Sequence, residues 1–164
     1  MKEFNRILVP TDLSKHSLAA FEYAEYISRT YGASLYVLHV VDESSVAFAY
    51  PVESMLEAIQ EESFTRAKEA LNKFIGREVG SMPAMHKEVR QGDPSNEICR
   101  FADEHAITLI VIGTHGRTGL AHAVLGSTAE RIVRHAHVPV MVVKPGHDAP
   151  RATMREAMEE VARS

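Results

Sequence analysis

Short apolar runs, separated by segments with helical periodicity, constrain the fold of this chain more than any other feature. Four of the five runs consist almost entirely of Val, Ile and Leu, which is typical of strands covered on both faces. The third run alternates, with His86, Glu88 and Arg90 on one side, and this pattern favours an edge strand. The order of strands and helices predicts one doubly wound α/β domain with a mainly parallel sheet and right-handed crossovers. The predicted strands are 4–10, 33–41, 84–91, 107–113 and 138–144.

The intervening segments carry start and stop signals of helices. Ser14 is the expected N-cap of the first helix, and Gly32 stands where a C′ glycine belongs. Asp93 is the expected N-cap of the third helix, and Pro94 occupies its first turn. The predicted helices are Ser17–Tyr31, 52–79, the segment that opens at Asp93, and Ser127–His137.

The predicted domain covers residues 1–145, and residues 146–164 form a separate C-terminal tail. Gly146 and two prolines form a hinge, and the residues after it show the spacing of a short amphipathic helix. An isolated helix of this length is marginal in water, so a docked helix and a frayed tail both remain open.

Composition excludes several classes of protein. The 164 residues are 45% hydrophobic and 24% charged with a net charge of −4, which fits a globular domain and gives no basic stripe for nucleic acid. The single cysteine, Cys99, cannot form an internal disulfide, and we expect it to pack inside the protein in a reducing compartment. No apolar run approaches the roughly 20 residues that cross a bilayer, and the N-terminus lacks the apolar core of a signal peptide. We therefore expect a cytoplasmic protein with no membrane association.

A cluster of glycines follows the fourth predicted strand. Ligands of open parallel sheets bind beyond the carboxyl ends of the strands. Gly113 and Gly116 allow positive φ and can turn their backbone N–H groups toward one point, so we expect a nest for an anion here. Gly126, Ser127 and Thr128 then open a helix, whose N–H groups and dipole favour a phosphate. The alternative is that these are turn glycines followed by a Ser or Thr N-cap. The spacing fits neither the dinucleotide motif nor the Walker motif.

Here the sequence resembles the universal stress protein family, over nearly all of residues 1–145. The nucleotide-binding branch of that family carries G-x2-G-x9-G followed by Ser or Thr, and this chain matches it with Gly113, Gly116 and Gly126-Ser127. The opening "ILVPTDLS" and the closing "VPVMVVKP" resemble the first and last strands of the family. The resemblance implies a Rossmann-like, adenine nucleotide α-hydrolase-like fold with strand order 3-2-1-4-5. It also implies an ATP site between the first and fourth strands.

The resemblance also implies a set of nucleotide-binding residues. Pro10, Thr11 and Asp12 would border adenosine at the end of the first strand, and Val40, at the end of the second strand, would meet adenine through its backbone. Ile112 and Gly113 would line the nucleotide. His115 and Gly116 would approach the phosphates, and Gly126, Ser127 and Thr128 would hold their far end. Some members have a further hydroxyl where this chain has Ala129, so ATP, ADP and AMP all remain candidates.

Three other features leave alternatives open. Asp12 binds ribose or a divalent ion, or else caps the first helix in competition with Ser14. Arg117 screens phosphate charge or is an ordinary solvated loop arginine. Nine histidines are present, but their spacing does not predict a zinc site, and His39 is interpreted as a core or interface residue. Mg²⁺ or Mn²⁺ is expected only as a companion of the phosphates.

The leading functional hypothesis is a universal stress protein that binds ATP and acts as a switch in a stress response, read by an unknown protein partner. The resemblance implies a homodimer through the edge strand at 138–144. The alternatives are a slow ATP hydrolase or nucleotidyl-transfer enzyme of the wider group, and a nucleotide-free interaction protein. The sequence shows no catalytic constellation, so at most a slow ATPase is expected.

Overall fold

One parallel sheet of five strands forms the centre of the protein. The computed structural model describes residues 4–42, 53–80, 85–114 and 125–144. The strand order is β3-β2-β1-β4-β5, and all four pairings are parallel. This order confirms the prediction and places β3 and β5 at the two edges. The strands are β1 Arg6–Pro10, β2 Ser34–Val41, β3 Met85–Gln91, β4 Leu109–Gly113 and β5 Val140–Val143.

Four α-helices in the described ranges connect these strands. The first follows a short 3-10 turn at Lys15–Ser17, and the second continues into a π-helical segment at Ile75–Val79. The last helix ends two residues before the predicted boundary. Ala136 is already extended, and Val138 precedes Pro139, a position that disfavours helical backbone. The helices are α1 Leu18–Tyr31, α2 Glu53–Phe74, α3 Pro94–Glu104 and α4 Ser127–His135.

Two of the predicted helix caps are confirmed and one is wrong. Gly32 ends α1 in the left-handed region (φ 66°), and its N–H donates to the Ser28 carbonyl. The Asp93 carboxylate accepts the Asn96 N–H at 2.9 Å and caps α3. Ser14 precedes the 3-10 turn and makes no side-chain capping bond, and Ser17 takes the N-cap position of α1. Instead the Asp12 carboxylate accepts the Ser14 N–H at 3.0 Å and closes a turn over residues 12–14.

The sheet divides the core into two halves, as the doubly wound pattern predicts. Alternate residues of each strand face opposite sides, so Ile7 and Val9 pack toward α1 and α2 while Leu8 packs toward α3 and α4. Cys99 is half-buried on the side of the sheet that α3 and α4 cover, and it packs there as predicted. Burial raises the pKa of its thiol. Both faces of the central strands are therefore covered. Their carboxyl ends, where the strand order reverses beside β1, remain as the natural place for a ligand.

In the described part of the chain, no helix is both long and apolar enough to cross a membrane. The predicted C-terminal tail, 146–164, lies outside the described residues.

Candidate functional site

A cavity of about 640 Å³ lies at the carboxyl ends of the strands, with β1 and β4 at its centre. This volume falls within the range of small-molecule and cofactor sites. Nine of the residues predicted to bind a ligand line it, although they come from four separate segments of the chain. These nine are Pro10, Thr11, Asp12, Val40, Ile112, Gly113, Gly126, Ser127 and Thr128.

The turn after β1 forms the floor of the cavity. Thr11 is buried, and its N–H extends the sheet by donating to the Leu38 carbonyl at 2.9 Å. Asp12 is half-buried, and its carboxylate both borders the cavity and accepts the Ser14 N–H. Asp12 is thus neither a helix cap nor a simple solvent-facing carboxylate. It presents a negative charge from a turn that its own side chain helps to close.

The end of β2 forms the wall beside this turn. Val40, half-buried and in register with Arg90 of β3, lines the cavity together with Val41 and Asp42. His39 also lines it, is 7% exposed, and contacts the Thr11 carbonyl through Nδ1 at 2.8 Å. Sequence reasoning treated His39 as a core or interface residue. Its place at the carboxyl end of a strand beside β1 was the signal that would have assigned it to the site.

The end of β4 approaches the start of α4 closely. Gly113 stays in the strand, in register with Val143, and the next residue, Thr114, donates its N–H to the Val143 carbonyl at 2.9 Å. Gly113 therefore does not adopt the positive φ that glycine allows, because sheet pairing keeps its backbone extended. Gly126 donates its N–H to the Thr114 carbonyl at 2.8 Å, and a Cβ at Gly126 would lie 3.2 Å from that oxygen. Glycine at position 126 lets helix and strand meet.

The N-terminus of α4 opens onto the cavity without a side-chain cap. Gly126 is the N-cap residue, so the alternative interpretation of a Ser or Thr N-cap is wrong. The first intrahelical bond runs from the Glu130 N–H to the Gly126 carbonyl, which leaves the amides of Ser127, Thr128 and Ala129 without an intrahelical acceptor. The Ser127 and Thr128 hydroxyls make no hydrogen bond within the described part of the chain. Three amides and two hydroxyls are thus grouped beside one cavity.

The charges around the cavity are unevenly distributed. Its described lining contains two carboxylates, Asp12 and Asp42, and one imidazole, His39, but no lysine or arginine. Positive potential in this lining therefore comes from the first turn of α4, where the helix dipole adds to the amide hydrogens. No group of three or more His, Cys, Asp or Glu residues suited to a metal ion occurs in the ranges that the structure describes.

Two further walls come from helices that the sequence did not connect with the site. Ser63 and Ala67, one turn apart on α2, line one side, and Pro94 and Ile98, one turn apart on α3, line the other. None of these four carries a chemical signal in the sequence, because they are ordinary members of helical faces. Only the tertiary fold brings them to the cavity. The predicted phosphate contacts His115 and Gly116, and Arg117 after them, lie outside the described residues.

The model of the universal stress protein family matches residues 3–144 of this sequence. The chain belongs to the universal stress protein family. Among its relatives, universal stress protein MJ0531 of Methanocaldococcus jannaschii is 41% identical over 143 residues, which cover 86% of this chain and 82% of that protein.

Solved structures agree with the family and the fold. Universal stress protein UspA from Lactobacillus plantarum is 30% identical, with a TM-score of 0.72 over 87% of this chain and 99% of that one. Protein MJ0577 of M. jannaschii has a TM-score of 0.78 at 24% identity, over 90% of this chain and all of that one. A universal stress protein solved in complex with cAMP has a TM-score of 0.56 at 24% identity, over 87% and 98% of the two chains. At 24% identity, the last two structures support the fold of this chain and nothing further.

Proposed function

We propose that this universal stress protein binds an adenine nucleotide, ATP with Mg²⁺ or Mn²⁺, in the cavity at the carboxyl ends of β1 and β4. The observation that carries the proposal is the position of the uncapped first turn of α4 on a cavity at the switch point of a doubly wound sheet. The cAMP complex of a relative is a precedent for an adenine nucleotide on this fold.

The phosphates are proposed to lie at the N-terminus of α4. Ser127, Thr128 and Ala129 supply amides that no helical carbonyl accepts, and the two hydroxyls can each donate one more hydrogen bond. The close approach at Gly126 leaves no side chain between this turn and β4. From the sequence motif, His115, Gly116 and Arg117 are proposed to complete the phosphate contacts.

The adenosine is proposed to lie over the ends of β1 and β2. Val40 and Ile112 provide apolar surface on either side of β1, and Pro10 and Thr11 form the floor between them. Pairing between β1 and β2 ends with the bond from the Thr11 N–H to the Leu38 carbonyl, so the backbone at Val40 is proposed to offer polar groups for the edge of the base. The Asp12 carboxylate can accept hydrogen bonds from ribose hydroxyls, since a carboxylate is an acceptor only.

A divalent cation is part of the proposal because of the charges. The phosphates of ATP repel one another, and the described lining of the cavity contains no lysine or arginine to offset their charge. A cation bound mainly by the phosphates, with a carboxylate such as Asp12 nearby, reduces this repulsion. The absence of a three-ligand cluster among the described residues fits an ion that arrives with the nucleotide.

The proposed output is a switch in the stress response, set in the cytoplasm and read by a protein partner. Residues 114–125 join β4 to α4, the two elements proposed to hold the phosphates, so occupancy would be communicated through this segment. The proposed homodimer pairs β5 with its copy within residues 138–144. β5 is an edge strand, and Val140, Met141 and Val142 are only half-buried in the single chain.

A pair of glycine substitutions tests the proposal. Gly126→Val places a branched side chain against the Thr114 carbonyl and separates α4 from β4, so we expect calorimetry with ATP and Mg²⁺ to show no binding. Gly76→Val is the matched control, because nothing lies within 4 Å of a Cβ at Gly76. Binding that is equal in both variants and the parent would contradict the proposed site. Absence of binding in the parent, tested with ATP, ADP, AMP and cAMP, would contradict the function.

A further inference from the structure

We propose that His39 is a positioning residue, which holds the turn after β1 in the conformation that presents Asp12 to the cavity. This inference rests on the proposed nucleotide site and goes beyond it, because His39 is argued to act through Thr11. The elements involved are the end of β2, which carries His39, and the turn at 11–14, which His39 contacts.

The hydrogen bond to Thr11 places a proton on Nδ1 of His39. Its Nδ1 lies 2.8 Å from the Thr11 carbonyl oxygen, and a carbonyl can only accept. Nδ1 must therefore carry the proton and donate it. His39 is 7% exposed, so water has little access to the ring. If the imidazole were removed, the buried Thr11 carbonyl would be left without its hydrogen-bond donor.

Every hydrogen-bonding group of Thr11 is occupied. Its N–H donates to the Leu38 carbonyl, and its hydroxyl oxygen accepts the Leu13 N–H at 3.0 Å. The Ser17 hydroxyl donates to the Ser14 carbonyl at 2.8 Å and so has no second hydrogen to give. In the 2.8 Å contact between the two hydroxyls, Thr11 is therefore the donor and Ser17 the acceptor. The His39 bond to the carbonyl completes this set.

The turn held in this way is strained. Leu13 has φ 64°, a left-handed conformation that is unfavourable for a residue with a Cβ. Its amide is anchored on Thr11, and its side chain packs against the core beside α1. A strained non-glycine residue persists only where its surroundings determine it, and such residues concentrate at functional sites. Here the surroundings are Thr11, its partner Ser17, and His39.

Two substitutions of His39 test the proposal. His39→Leu keeps an apolar side chain but removes the donor to Thr11, whereas His39→Asn keeps an N–H close to the position of Nδ1. We expect His39→Leu to weaken ATP binding at least about tenfold, since a displaced turn misplaces Asp12 relative to the ligand. His39→Asn should recover most of the affinity. Ser17→Ala, which removes the acceptor of the Thr11 hydroxyl, is a second variant with the same expected direction.

Ser28→Ala is the matched control. It also removes a part-buried side-chain bond to a backbone carbonyl, from Ser28 Oγ to Ala33 at 2.6 Å, but at the opposite end of α1. We expect it to lower stability without changing the affinity of the folded protein. Equal affinity in His39→Leu, His39→Asn and the parent would overturn the inference while leaving the nucleotide site in place.

Amide exchange of Leu13 and Ser14 separates this inference from the proposed function. Their N–H groups are bound by Thr11 and Asp12, so both amides should exchange faster in His39→Leu than in His39→Asn or Ser28→Ala. If the parent binds no adenine nucleotide, the proposed function fails, and these exchange rates still decide whether His39 holds the turn. Unchanged rates in His39→Leu would overturn the positioning role in that case too.

Discussion

The double substitution Ser127→Ala and Thr128→Ala is expected to separate ligand binding from stability. Both residues lie in the first turn of α4, and neither hydroxyl makes a hydrogen bond within the described part of the chain. Gly126 is the N-cap, so no capping bond is lost. Alanine also has the higher helix propensity. The free energy of unfolding should therefore stay within about 0.5 kcal/mol of the parent.

The expected loss of affinity is much larger than this change in stability. A hydrogen bond to a charged group contributes about 1.5–3 kcal/mol, which corresponds to roughly 10- to 150-fold in Kd for each hydroxyl that meets a phosphate. The amides of the helix remain in the double variant, so some affinity should persist. We expect ATP binding to weaken by about 100-fold, while adenosine, which lacks phosphates, should bind both proteins equally.

Calorimetry with ATP and with adenosine, together with urea unfolding, measures these quantities on the same samples. Thr30→Ala is the control, because it removes a hydroxyl that donates to the Tyr26 carbonyl on an exposed part of α1. Less than threefold loss of ATP affinity in the double variant would refute the placement of phosphate at α4. A fall of more than about 1 kcal/mol in unfolding free energy would refute the argument that these hydroxyls have no structural role.

Three further results are expected. Asp93→Ala should cost about 1 kcal/mol of unfolding free energy through the lost cap. Hydrogen bonds from the Ser95 hydroxyl and the Asn96 amide hold the pKa of Asp93 below its ordinary value, so its contribution to stability is present above the unfolded pKa and is lost as pH falls through the lower folded pKa; a difference between parent and variant that stayed constant on acidification in urea would contradict this. Ala129→Ser adds a hydroxyl at a 3% exposed position on the cavity, and calorimetry should show a higher ATP-to-AMP affinity ratio, with an unchanged ratio counting against a terminal phosphate there. Hydrogen exchange across Val140–Val143 should be slow in dilute protein if β5 pairs with its copy, and rapid exchange would argue against that dimer.

The sheet and its order could be predicted because burial leaves a direct trace in the sequence. Strands covered on both faces read as continuous apolar runs, and the alternation of His86, Glu88 and Arg90 correctly indicated an edge. The predicted boundaries of the elements were less accurate. The residue before Pro139 disfavours helical backbone, and α4 ends at His135 rather than at the predicted His137. Gly32 and Asp93 were identified correctly as capping residues because each acts within its own helix end.

The errors arose where local signals compete. Ser14 has the right residue type for an N-cap, but Asp12 takes the amide of Ser14 and a 3-10 turn precedes the helix. Gly113 could adopt positive φ, yet pairing with Val143 keeps it in the strand. Ser127 is not the N-cap, because Gly126 occupies that position and has no side chain to cap the helix.

The walls of the site from α2 and α3 depend on tertiary packing. Ser63 and Ile98 lie far apart in sequence and carry no chemical signal of their own, so only the packed helices show that they share a cavity. His39 was not assigned to the site for the same reason. Its bond to Thr11 crosses between two strands and leaves no trace in the local pattern.

The most direct test of the central claim is to identify what the purified protein carries. The protein is purified without added nucleotide and denatured, and the released material is analysed by liquid chromatography and mass spectrometry. The account predicts an adenine nucleotide in an amount close to one per chain, with ATP indicating an intact triphosphate site. An empty protein that also fails to bind added ATP, ADP, AMP or cAMP in the presence of Mg²⁺ would contradict it.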